Sequence, residues 1–395
     1  MTDCCSHIFF SRRACRVAIS ELFDLPPGAY SPGMLVSALK QLGFDLVLDT
    51  NTAADLTICE EVTELLRRLP QTTDNGNNDN TGLPLFTSCC PGWMNWIQKI
   101  DPELAPYIST CKSPHIMYGS VVKKFGTELM GTTNSSIYFT SIMPCILKRG
   151  ESDRPAFANG DGVRDVDNVI TTRDLGQLLK LKEIDPLQCK DVPFDSPFQQ
   201  EQQEQDGTGT GAGQLFGASG GVMEAAVRTV HELVTGQELP VLELDAVRGL
   251  DGVKEAVVPL YTKEDTDKKN GMDLRVAVVS GLGNAKKLIQ KLKDGTVQYD
   301  FVEVMACPGG CINGGGQPRS AGSNKSKDGP TVVEKRLAAI YELDRSLPRR
   351  KSHDNPTVQK LYEKYLNGYG GEQAHKVLHV EPIYGETPPK PPTDK

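Results

Sequence analysis

No apolar run in this 395-residue chain approaches the roughly 18 residues that a membrane-spanning helix needs, so membrane insertion is not expected. Basic charge is in deficit. There are 43 Lys and Arg against 51 Asp and Glu, a net charge of −8, which argues against non-specific nucleic-acid binding and favours solubility. The opening stretch, MTDCCSHIFFSRRACR, lacks a long apolar core and carries an acid at Asp3, so it reads as neither a secretory signal nor a transit peptide. The 11 cysteines lack the even spacing of a disulfide framework, and a chain this long has no need of one. No internal repeat is visible. Scattered cysteines in Gly/Pro-rich turns point instead to metal ligation or redox chemistry.

What is present is an alternation of short apolar strands with amphipathic helices. Met34–Leu42 reads as a helix and Phe44–Leu48 as a strand. Asp55–Leu69 repeats apolar residues at helical spacing, with Asp55 as the expected N-cap. Gly217–Val234 reads as a glycine turn opening a helix. Leu274–Ser280 and Tyr299–Met305 read as strands, with a basic helix at Asn284–Asp294 between them. Two polar stretches, Gln71–Gly82 and Gln199–Gly213, read as surface insertions, the second mobile. The pattern predicts an α/β protein with mostly parallel twisted sheets flanked by helices, arranged as two lobes with the site in the cleft between them. The expected boundaries are 1–140 and 141–323 for the lobes, then a helical C-terminal segment over 324–395.

Three cysteine turns share one design. Thr87-Ser88-Cys89-Cys90-Pro91-Gly92, Met143-Pro144-Cys145 and Met305-Ala306-Cys307-Pro308-Gly309-Gly310-Cys311 each follow an apolar stretch and contain Pro or Gly. In open α/β sheets ligands gather at the carboxyl ends of strands, so three such turns could meet in one crevice. Glycines let backbone N–H groups approach a sulfide-rich anion, and prolines stiffen the turns. Neighbouring side chains diverge, so one of Cys89 and Cys90 should ligate while the other stays free. Four thiolates, Cys90, Cys145, Cys307 and Cys311, match a [4Fe–4S] cube. A structural zinc, or a set of unrelated buried thiols, is the competing reading. Elsewhere, Glu61, Glu64 and Arg68 fall on one helical face, where two stacked carboxylates can pass protons if burial raises their affinity. A solvated Glu–Arg face is the plain alternative. Cys59 reads as core, and His7, His231, His375 and His379 form no metal pattern.

Together the blocks TSCCPGW at 87–93, MPCxxKxxE at 143–151 and ExMACxGGCxxGGGQP at 303–318 closely resemble the signature of the [FeFe]-hydrogenase family. Flanking segments agree: STCKSP at 109–114, FGASGGVMEAAVR at 216–228 and VSGLGNAKKLI at 279–289. SHxNP at 352–356 and LYEKYL at 361–366 are similar to the family's small-subunit-type tail. The family's cofactor is the H-cluster, a [4Fe–4S] cube joined through a cysteine to a two-iron unit carrying CO, CN and azadithiolate. The resemblance implies that Cys90, Cys145, Cys307 and Cys311 hold the cube, Cys311 being the bridge. It implies that Lys148, Met143, Met305, Pro114, Phe216 and Glu151 surround the two-iron unit. Cys89 would be the proton donor, with Glu61, Ser109, Glu64 and Arg68 as the relay outward.

The resemblance further implies a compact algal type without ferredoxin-like modules, reduced directly by ferredoxin, dependent on maturation proteins, monomeric, and placed in the chloroplast stroma or alternatively the cytoplasm. Docking an acidic ferredoxin needs a local basic patch, either Lys286, Lys287, Lys291 and Lys293 or the group around Lys325, Lys327, Lys335 and Arg336. Three positions depart from the pattern. Arg12-Arg13-Ala14-Cys15 stands where the family has an Ala-Pro segment, His115 where Gln is common, and Cys59 where Met is usual. The competing functions are an iron–sulfur assembly or lamin-recognition scaffold of the same fold, or a sensory or inactive paralogue.

Overall fold

The structure, a computed structural model, describes residues 6–11, 13–69, 84–130, 136–159, 161–196, 209–261, 271–319 and 330–380, with 133 and 198. Two four-stranded sheets organise it. The first has β1 (Ser6–Ser11), β2 (Leu46–Asp49), β4 (Ile137–Met143) and β5 (Asn168–Thr171) in the order β2-β1-β4-β5, all parallel. The second has β3 (Leu85–Phe86), β6 (Val253–Leu260), β7 (Met272–Ser280) and β8 (Phe301–Met305) in the order β3-β8-β7-β6. Only its β6–β7 pair is antiparallel. The predicted mostly parallel α/β architecture is therefore what the chain adopts. Every residue of β8 and six of seven in β4 are buried, as expected of strands covered on both faces.

The chain interleaves the sheets. β3 joins strands that come some 200 residues later, and the boundary expected at residue 140 falls inside β4. A hydropathy pattern marks elements but not which sheet receives them. β1 was not expected at all, because its run SHIFFS lies among polar and cysteine-rich neighbours; it pairs with β2 on one side and β4 on the other.

The Thr50–Arg68 helix lies between the lobes. Leu56 and Cys59 belong to one apolar cluster with Phe139 and Met143, while Ile58, Val62 and Leu65 belong to another with Phe301 and Met305. A helix apolar on opposite faces is buried rather than amphipathic. It starts earlier than the pattern predicted. Asp49, not Asp55, is the N-cap, accepting from the Asn51 amide at 3.0 Å and from Arg16 Nη2 at 2.7 Å. Polar residues Thr50–Thr52 look like a loop in sequence but are buried here. Asp55 is fully buried and accepts four bonds, from the Thr210 amide and hydroxyl, Ser352 Oγ and Asn355 Nδ2, at 2.7–2.8 Å.

Residues 209–213, expected in a mobile insertion, are instead buried, with Gly211–Leu215 forming a short helix. The rest of that insertion and residues 71–82 lie outside the described residues, as do Cys4, Cys5, Arg12 and the tail beyond 380. The C-terminal segment is helical as expected, over Val332–Ser346, Pro356–Leu361 and Glu372–Leu378. No helix among the described residues is long and apolar enough to cross a membrane.

Candidate functional site

All three cysteine turns leave the carboxyl ends of strands: Cys89 and Cys90 after β3, Cys145 after β4, Cys307 and Cys311 after β8. In the first sheet, β1 leads to β2 on one side and β4 lies on the other, so the β4 end sits at the switch point where such sheets bind ligands. Met143 belongs to one lobe's core and Met305 to the other's, which puts the site on the seam.

Cys90, Cys145, Cys307 and Cys311 line one cavity, together with Pro91, Lys148, Met305, Ala306, Gly310 and Gly314. Burial first, and then the neighbouring sulfurs, raise the Cys145 thiol to about 11 and Cys307 to about 12. Burial and neighbouring sulfurs oppose ionisation of Cys90, Cys145 and Cys307, and a shared polycation would relieve them, so the set of four thiols fits an iron–sulfur cube. Ala306 donates its amide to Cys90 Sγ at 3.3 Å. Gly310 has φ +94°, and a Cβ there would stand 2.5 Å from the Ser219 amide nitrogen. A Cβ at Gly314 would stand 2.3 Å from the Pro144 carbonyl oxygen. The turns close on this cavity only as glycine turns.

Cys89 is 2% exposed and belongs to the apolar cluster of the second lobe, with Phe216 and Met305. Its carbonyl accepts from Lys148 Nζ at 2.9 Å. Lys148 also donates to Glu151 Oε2 at 2.6 Å, and His115 Nε2 lies 2.6 Å from the same oxygen. Burial disfavours the Glu151 charge, but Lys148 and His115 overcome it and hold the carboxyl at about 2. His115, at the second position of the Pro114–Met130 helix, thus shares one buried carboxylate oxygen with Lys148. Sequence reasoning flagged the residue and gave it no partner.

A file of polar groups leads away from Cys89. Glu61 is fully buried, takes the Ser88 amide at 3.4 Å on Oε1, and has no partner for Oε2 among the described residues. Burial, then the charges of Glu64 and Glu303, raise it to about 8 against the pull of the Ser88 amide and Ser109 hydroxyl. Ser109 Oγ donates to Glu64 Oε2 at 2.8 Å, and Arg68 Nη2 meets Glu64 Oε1 at 2.5 Å. Exposure rises along the file from 0% at Glu61 to 12% at Glu64 and 17% at Arg68. The solvated Glu–Arg face is therefore not what the helix presents.

Two expected features differ. Arg336 is 2% exposed and bound to Glu21 at 2.6 Å, so it cannot serve a surface patch. Lys293 is tied to Asp101 at 2.9 Å, while Lys286, Lys287 and Lys291 are exposed. The second is His379, which the sequence placed in no metal pattern. Its ring lies beside Cys111 and Glu64, 268 residues from Cys111 in the chain and beyond any spacing rule.

Comparison with known proteins agrees with this geometry. Residues 9–315 match the family described as iron only hydrogenase large subunit, C-terminal domain, and residues 330–381 match iron hydrogenase small subunit. The chain belongs to the iron-only hydrogenase family. It is 41% identical to the NADP-reducing hydrogenase subunit HndD of Solidesulfovibrio fructosivorans over 93% of this chain and 58% of that protein. It is 38% identical to iron hydrogenase 1 of Clostridium pasteurianum over 93% of this chain and 59% of that protein. The chain thus spans less than two thirds of those two relatives. An apo [FeFe]-hydrogenase structure from Chlamydomonas reinhardtii superposes with a TM-score of 0.82 at 40% identity, covering 98% of this chain and 96% of that one. Cytosolic iron-sulfur assembly component 3 of Mus musculus matches at a lower 31% identity, over 93% of this chain and 72% of that protein.

Proposed function

We propose that this iron-only hydrogenase family member interconverts protons and H2 at an H-cluster, a [4Fe–4S] cube joined to a two-iron unit with CO, CN and azadithiolate. The observation that carries the reading is four thiols around one cavity beside a fifth, Cys89, from which buried carboxylates lead outward. Cys90, Cys145, Cys307 and Cys311 would hold the cube, with Cys311 joining it to the two-iron unit. Lys148, Met143, Met305, Pro114, Phe216 and Glu151 would wall that unit. When bound, the group would relay electrons from the donor and provide the metal centre at which protons and H2 interconvert.

The chain's own residues supply the protons. Cys89 carries the proton at the inner end. Glu61, neutral up to about pH 8, holds the next one in a pocket without water-facing surface. Ser109 passes protons between the two carboxylates by rotating its hydroxyl, and Arg68 orients Glu64 at the outer end. Lys148, clamped by Glu151, fixes the Cys89 carbonyl and presents a cation toward anionic ligands.

Electrons come from reduced ferredoxin, which docks on the exposed lysines 286, 287 and 291. Assembly uses hydrogenase maturation proteins, and the working compartment is the chloroplast stroma.

Infrared spectroscopy of the anaerobically matured protein tests the reading. Bands of metal-bound CO and CN that change under H2 are expected. A [4Fe–4S] signal without such bands would overturn it in favour of an assembly scaffold, the activity class of the 31%-identical relative. In the matured protein, Cys89→Ala is expected to keep those bands and lose turnover by about 10²-fold or more. Loss of the bands in that variant would instead make Cys89 a ligand.

A further inference from the structure

We propose that Glu64, Cys111 and His379 form a binding site for a single divalent transition metal, zinc above all, at the outer end of the polar file. A carboxylate oxygen, a thiol sulfur and an imidazole nitrogen from these residues all lie within 4.8 Å of one another. Cys111 Sγ stands 3.8 Å from His379 Nδ1 and 3.9 Å from Glu64 Oε2. Around a tetrahedral zinc, with bonds of about 2.0–2.3 Å, such ligand atoms stand roughly 3.5 Å apart. Movements of a few tenths of an ångström would close the two Cys111 distances, and a shift of about an ångström between the Glu64 carboxylate and the His379 ring would close the set.

The surroundings match those of a metal-bound histidine. His379 Nε2 lies 2.8 Å from Glu60 Oε2, a carboxylate–imidazole pair that leaves Nδ1 for the metal. The ring also stacks on His375, with centroids 4.7 Å apart and planes 9° from parallel. Backbone bonds fix the two segments that bring the ligands together, Lys112 N to Leu378 O at 2.8 Å and Val380 N to Thr110 O at 2.9 Å. Glu60 and Glu64 bear on Cys111, and Glu61 Oε2, on a carboxyl that burial keeps protonated, has no partner among the described residues. The matching cation is Arg68, on the far oxygen of Glu64. A dication placed there is attracted by more negative charge than one guanidinium offsets. Thr110 Oγ1, now 2.8 Å from Nδ1, yields that nitrogen to the metal, and water completes the shell. Binding releases the Cys111 thiol proton to solvent; no electrons move. The soft sulfur with imidazole and carboxylate favours zinc over magnesium or calcium.

Occupancy has a consequence that rests on the proton-file reading above. The metal takes Glu64 Oε2, the oxygen that now accepts from Ser109 Oγ, so it interrupts the file. Zinc is then a reversible inhibitor of turnover.

The test uses the matured protein, whose four cavity cysteines are already filled, in chelator-treated buffer. Calorimetric titration with Zn2+ is expected to give one site, and Co2+ to give a thiolate-to-cobalt charge-transfer band. Cys111→Ser and His379→Ala should abolish the band and weaken binding by about tenfold or more, and Glu60→Gln about tenfold, while uninhibited turnover stays as in the parent. A parent that binds no Zn2+ and shows no cobalt band, or variants that bind like the parent, would overturn the site and leave the hydrogenase reading intact. Zn2+ that inhibits the parent, is reversed by chelator and spares Cys111→Ser supports both parts. Zn2+ that binds with the band but leaves turnover unchanged keeps the site and overturns the place of Glu64 in the file.

Discussion

Burial lifts the Glu61 carboxyl from its ordinary 4.5 to about 8. Between those values the folded chain keeps a proton that the unfolded chain has released. The group's contribution to stability is thus complete below about pH 4.5 and is lost as pH rises through about 8. Glu61→Gln removes that dependence. The parent should therefore lose stability relative to Glu61→Gln when denaturant midpoints are compared at about pH 5 and about pH 9; parallel curves would show that Glu61 is ionised throughout. The four cavity cysteines could be picked from the sequence because each follows an apolar run and sits among Pro and Gly. The partners of His115 and His379 could not, since Glu151 and Cys111 reach them only through tertiary structure.

Elements were legible where one face is apolar and illegible where polar residues are buried. The strands ending in Met143 and Met305 showed as apolar runs, whereas the first turn of the Thr50–Arg68 helix was hidden by Asp49–Thr52. Asp55, misread as a cap, is the bolt between this helix, the Gly211–Leu215 turn and the C-terminal segment. Asp55→Ala leaves four buried donors without an acceptor and should cost about 3 kcal/mol, read as a lower midpoint in chemical denaturation. At the cysteine turn after β8, Gly310→Ala forces a Cβ into the Ser219 backbone at φ +94°. That variant should keep its circular dichroism and lose cluster iron in a colorimetric iron assay, because the strain falls on the turn rather than on the sheet.

For the molecule as a whole, the sequence revealed the fold class but not the weave. Two cores meet along one helix; the first sheet takes its strands from the first half of the chain alone, whereas the second joins β3 from that half to three strands from the other. Which strand joins which sheet depends on long-range packing, which no local pattern records. The C-terminal segment closes this arrangement. Ser352 and Asn355 reach Asp55, Asp344 meets Arg228 at 2.8 Å in the interior, and Tyr362 and His379 both reach Glu60. Ending the chain after residue 329 removes the partners of Asp55, Glu60 and Arg228 and uncovers Val17, Leu215 and Ile312, which pack with Leu337 and Ile340. Such a truncation should unfold without a single cooperative transition by calorimetry.

Residues 330–381 match a family named as a small subunit, yet here residues 320–329 join them covalently to the rest. Their docking is thus a first-order event, governed by an effective concentration in the millimolar range rather than by how many copies are present. Dilution that would empty the same interface between two separate chains leaves this one closed.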